Sequence, residues 1–188
     1  TLRVETNGAI TCKGSIANGN TATLTNKGTI TLSGRLTNVG TIQNLSAITL
    51  DPNTLAVFQN GPEESENEKI KGVFENAGTL TIGSGCIFNN SGSFTNEGTC
   101  TNGGTFNHNG TGSNEKDFTN NGTFENGANA VCNVRADFTN SGTFENGANA
   151  ACNVEATFTN NGTFDNNGAK AACNVKAEFV NSKGATFK

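Results

Sequence analysis

Near-identity at a fixed offset constrains this chain more than anything else in it. Phe118 to Asp137 reads FTNNGTFENGANAVCNVRAD, Phe138 to Thr157 reads FTNSGTFENGANAACNVEAT, and Phe158 to Glu178 reads FTNNGTFDNNGAKAACNVKAE. The steps are 20, 20 and 21 residues, and Phe179 opens another copy. A chain repeating at this interval folds as an array of like units, each burying its apolar face against the next. Inside each unit the signature is apolar-x-Asn-x-Gly-Thr-apolar. It recurs upstream from Leu24 to Ile30, Leu36 to Ile42, Phe74 to Leu80 and Phe94 to Cys100. Between Phe88 and Phe124 it tightens to six-residue steps through Phe94, Cys100, Phe106, Gly112 and Phe118.

The period selects the architecture. Helical repeats run longer, roughly 33–47 residues, and here Gly and Asn break the chain every six to eight residues, so no helix propagates. Short strands joined by Asn/Gly corners remain. The chain is expected to be all-β: a single-stranded parallel β-helix, or β-solenoid, of about 20 residues per coil, with a roughly triangular cross-section. The handedness is left open. One coil is expected as a strand over 133–139, with Val134, Ala136 and Phe138 inward. A corner at Asn140 to Gly142, a short strand through Phe144 and a third side over 148–152 complete it. Residues 1–188 read as one such domain, about eight or nine coils long, with a loop insertion at 59–72 where Glu and Lys replace the apolar pattern.

A narrow solenoid core explains the composition. Only 33% of residues are apolar, below the ~45–50% usual for a globular domain, yet they are placed regularly, which a disordered chain would not need. The expected ladders are Phe118, Phe138, Phe158 and Phe179 in one buried column and Phe124, Phe144 and Phe164 in another. Asn120, Asn140 and Asn160 are expected to bond amide to amide from coil to coil. Cys132, Cys152 and Cys173 share a column and read as small inward filler, neither a zinc site nor an evident disulfide.

Net charge is −4 with no basic stripe, and no apolar run reaches the length of a membrane span, so neither nucleic acid nor membrane insertion is expected. Glu125, Glu145 and Asp165 form an acidic column. Solvent and nearby Lys screen it, or a hard cation such as Ca²⁺ bridges it; the aspartate-rich calcium repeat is absent, and no metal is assigned. Arg135, Glu155 and Lys176 alternate in sign down another column. One His and scattered carboxylates give no catalytic constellation, so neither an enzyme nor a cofactor is expected. Thr119, Thr139, Thr159 and Thr123, Thr143, Thr163 are two Thr columns split by a corner. Thr-x-Thr pairs occur early, at Thr29 and Thr31, without persisting into the regular coils.

FTNNGTF and LTNKGTI resemble the Asn/Gly/Thr-rich repeats of bacterial surface β-solenoids, such as filamentous-haemagglutinin-type adhesins and autotransporter passengers. The resemblance implies an extracellular or cell-surface filament component or adhesin stalk, and it transfers no functional residue. A carbohydrate-binding surface and an ice-binding protein are the alternatives. The chain begins with Thr1 and contains no Met, as expected of a mature or excised segment. Neither end shows a cap, so the expected partner is a second copy joined end to end, with a surface glycan as the alternative.

Overall fold

The computed structural model describes residues 1–62 and 72–188. These residues form three parallel sheets of nine strands each. The chain visits the sheets in strict rotation, so every strand pairs with the strand one coil before and one coil after it. The first sheet runs from Leu2–Val4 to Ala172–Val175, the second from Ala9–Cys12 to Phe179–Asn181, and the third from Ser15–Asn18 to Thr186–Phe187. No helix occurs among the described residues. The repeat thus folds as a solenoid of nine coils among the described residues.

The six-residue step is the side of the triangle. A four-residue strand such as Thr99–Asn102 turns its second and fourth residues inward, and two bend residues follow. Three such sides close a coil in 18 residues, the spacing of Asn102 and Asn120. A corner widened to residues 127–130 brings it to 20, the spacing of Asn120 and Asn140. The wide corners turn through left-handed residues, Asn129 at φ 62° and Asn149 at φ 56°, which Asn tolerates better than most side chains.

The sides fall at other places than the sequence suggested. No strand spans 133–139: Val131–Val134 lies in the first sheet and Phe138–Asn140 in the second, with a bend at 135–137 between them. Ala136 is accordingly a half-buried bend residue. The strand expected over 148–152 begins at Ala151 and ends at Val154. Asn140 belongs to its strand, and the corner is 141–142. Of the expected loop at 59–72, Gln59 and Asn60 close the strand Val57–Asn60, and residues 63–71 lie outside the described residues.

The motif glycine has a cause other than backbone freedom. Gly142 is not among the left-handed residues. A Cβ there would collide with the Gly122 carbonyl oxygen of the preceding coil. Successive bends are pressed backbone to backbone, and Gly162 meets Gly142 in the same way.

Three inward columns fill the core. The third-sheet column is an unbroken file of Phe58, Phe88, Phe106, Phe124, Phe144, Phe164 and Phe187. In the second sheet Ile30, Ile48 and Leu80 give way through Cys100 to Phe118, Phe138, Phe158 and Phe179. The first-sheet column compensates for volume. It holds Phe74 and Phe94, then Gly112, then Cys132, Cys152 and Cys173, so the small residues arrive where both other columns have become Phe. In the regular coils Phe118 stacks on Phe138 at 5.2 Å and Phe124 on Phe144 at 5.0 Å, both with interplanar angles of 5°. Across columns Phe138 meets Phe144 edge on at 88°, a geometry that the ring quadrupole favours.

Candidate functional site

The interior corners are lined by asparagine. Asn closes a strand and points inward, where a coil has only its own backbone to bond. Asn120 Nδ2 donates to Asn140 Oδ1 at 2.7 Å and to the Thr143 carbonyl at 2.8 Å. Asn140 repeats the pair with Asn160 and Thr163, and Asn160 with Asn181 and Thr186. Each amide spends one hydrogen on the next rung and one on the backbone of the next coil. That satisfies groups which burial would otherwise penalise by about 1–3 kcal/mol each. Asn120, Asn140 and Asn160 are all fully buried. The first sheet carries a like ladder from Asn26 through Asn44 and Asn76 to Asn96. The third runs from Asn18 through Asn38 and Asn60 to Asn90 and ends on His108, and a further run begins at Asn126. The sequence reading found the second-sheet ladder. It missed the others. The early runs lie in coils whose repeat is degenerate, while the run from Asn126 through Asn146 to Asn166 lies in the regular copies, where Asn before Gly or Asn reads as a turn.

Phe118, Phe138 and Phe158 stand in register, fully buried, with Phe179 half-buried in the last coil. Phe124, Phe144 and Phe164 do the same in the third sheet. Cys132, Cys152 and Cys173 stack in the first sheet as free thiols. Hydrogen bonding to the Cys132 and Cys173 thiols, with burial, holds Cys152 far above its ordinary range, while the bond to Cys152 lowers Cys173. Buried thiols of this kind are poor nucleophiles.

Glu125, Glu145 and Asp165 are brought together on the outer face of the third sheet. Lys188 approaches Asp165 at 4.0 Å. Among the described residues no group of three or more His, Cys, Asp or Glu is disposed to hold a metal ion. In the alternating column Lys176 bonds Glu155 at 3.1 Å, as a coil-to-coil ladder requires, whereas Arg135 bonds Glu115 at 3.1 Å, a residue outside the three read from the sequence. Glu115 was not singled out because it precedes the regular copies. Its carboxyl is held below the ordinary range by Ser113 and then by Arg135.

Beside these pairs, Asn133, Asn153 and Asn174 form an outer amide ladder with bonds of 2.9 and 2.8 Å. The two columns border a shallow trough of about 510 Å³. Its cations are already neutralised by Glu115 and Glu155, and no aromatic side chain faces it, since the trough lining is wholly Ser, Asn, Val and charged residues.

Threonine is more regular than the sequence suggested. The two columns do lie on different sheets, Thr119, Thr139 and Thr159 on the second and Thr123, Thr143 and Thr163 on the third. The second-sheet column, however, persists through Thr11, Thr31, Thr49, Thr81, Thr101, Thr119, Thr139 and Thr159 without interruption. Its neighbour is Ala or Thr as far as Thr99 and then turns to Asp117 and Asp137. Asp137 Oδ1 accepts the backbone N–H of Thr157 at 3.0 Å.

A rotation of three parallel sheets, inward Asn and Phe ladders and glycines at touching bends define a repeat type. The haemagglutinin repeat family model matches residues 1–55, 70–129 and 101–168. The chain belongs to the haemagglutinin repeat family. Its similarity to filamentous-haemagglutinin-type β-solenoids therefore extends over most of its length. Comparison with curated proteins and with solved structures gives no match. A haemagglutinin repeat is of structural, adhesin-like type, and here its inward asparagines serve the stacking of coils.

Proposed function

We propose that this haemagglutinin repeat is a stalk segment of an extracellular adhesin, a stiff spacer displayed at the cell surface. The observation that supports it is the laddered interior. Ladders of Phe and Asn run from coil to coil and engage most of the buried side-chain amides, leaving a rod whose sides are polar. Antibodies against the folded chain should label intact, unpermeabilised cells that make it. Labelling only after permeabilisation would sink the extracellular reading. Lengthening is proposed to occur end to end. The three sheets are parallel and in register, so a coil of a second copy stacked on the rod would extend them. Sedimentation at rising protein concentration should show growing particles; a strictly monomeric one defeats this step.

The Thr column of the second sheet favours a second reading, recognition of ice. It is regular over eight coils, but Asp117 and Asp137 interrupt the neutral plane beside it. The stalk reading expects no thermal hysteresis at micromolar protein. Measurable hysteresis would put ice recognition first.

A further inference from the structure

We propose that the contact between the fifth and sixth coils is an acid-sensitive joint, opened when His108 takes a proton. The fifth coil comprises Ser93–Asn96, Thr99–Asn102 and Thr105–His108, and the sixth Thr111–Asn114, Phe118–Asn120 and Thr123–Asn126. His108 is the chain's one imidazole and is 1% exposed, set into a ladder otherwise made of asparagine.

Its protonation state follows from its partners. Nδ1 lies 3.1 Å from Asn90 Nδ2, and Nε2 lies 3.1 Å from the Val131 carbonyl oxygen. Asn90 Oδ1 is already engaged by Asn60 Nδ2 at 2.7 Å, so the Asn90 amide brings hydrogens to the imidazole. Nδ1 therefore accepts, Nε2–H donates, and the ring is neutral.

Amide coupling between coils is thin at this level. An amide carries two N–H bonds where a neutral imidazole carries one. His108 gives its hydrogen to Val131, and Asn126 Oδ1 in the following rung is buried without a donor. The first-sheet ladder stops at the same height: Asn96 Nδ2 bonds Gly98, and Asn114 Oδ1 has no partner. Of the inner amide ladders, that of the second sheet alone crosses, from Asn102 to Asn120 at 2.8 Å. The ring also fills the volume that Gly112 vacates, since a Cβ at Gly112 would lie 2.7 Å from His108 Cε1.

A second proton would sit on Nδ1, facing the Asn90 NH₂ group, donor against donor, with a charge in the core. Among the described residues nothing inward compensates it. The titratable groups turned inward on the surrounding strands are the thiols of Cys100 and Cys132. Glu125 on the adjoining strand and Glu97, Glu115 and Arg135 on the bends are at the surface. Burial holds the imidazole down at about 4 instead of 6.5. A closed joint thus takes the proton only near pH 4, whereas an open one takes it from about 6.5 downward, so falling pH favours opening across that window.

Amide hydrogen exchange on the full chain, corrected for intrinsic rates, tests this between pH 7 and pH 4. Strands of the fifth and sixth coils should lose protection by about a hundredfold at pH 4, where the closed joint is half protonated and the open one fully so, while the second, third and eighth coils hold theirs. The double substitution His108→Asn with Gly112→Cys restores the amide rung and refills the space, and should abolish the loss. The same loss in that variant overturns the proposal. If the variant does not fold, the native chain decides through its imidazole NMR titration. A midpoint near 4 with protection lost first around Asn90, His108 and Asn126 upholds the joint. A midpoint near 6.5, or protection lost evenly along the rod, overturns it.

Discussion

Asn140 and Asn153 carry the same side chain and contribute very differently. Asn140 is fully buried and joins three coils through Asn120, Asn160 and Thr163. Asn140→Ala strands buried partners on both sides and should cost about 2–4 kcal/mol in urea unfolding. Asn153 bonds its ladder neighbours at the surface, where water substitutes, and Asn153→Ala should cost less than about 1 kcal/mol. Phe144 stacks on Phe124, meets Phe138 and Phe158 edge on and lies tilted against Phe164. Phe144→Ala leaves a hole that the rigid coils cannot close, with a loss of about 3–5 kcal/mol in the same measurement. Cys100, Cys132 and Cys152 are at most 3% exposed. They should resist alkylation by a thiol reagent in native buffer and react once the chain is unfolded.

At the scale of the strand and bend, spacing matters more than charge. Gly142 lies against Gly122 before it and Gly162 after it. Gly142→Ala must push two bends apart, and a loss of about 1–3 kcal/mol is expected, as for other overpacked sites. The ion pair of Lys176 and Glu155 bridges two coils with side chains 70% and 47% exposed. A double-mutant cycle on it should give a coupling below about 1 kcal/mol, fading with salt. Register is therefore held by the inward ladders, and the outer charged column adds little to it.

At the scale of the whole molecule, each coil touches only its neighbours, so stability is a sum of coil and interface contributions. Nine coils at the strand spacing make a rod about 40 Å long. Small-angle scattering of the monomer should return that length, and a compact globular profile would contradict the stacking. The sequence by itself determined the parallel solenoid, the Phe118 and Phe124 columns, the ladder through Asn140 and the Cys column, because near-identical copies can only stack in register. The tertiary structure alone decided where the sides break. Val134 and Phe138 look like one alternating strand, and only the bend between them assigns them to different sheets. It also decided the pairing of Arg135 with Glu115, the unbroken Thr face and the setting of His108. Each of these joins residues a full coil apart in poorly repeating segments, where spacing along the chain carries no register and contact across coils supplies it.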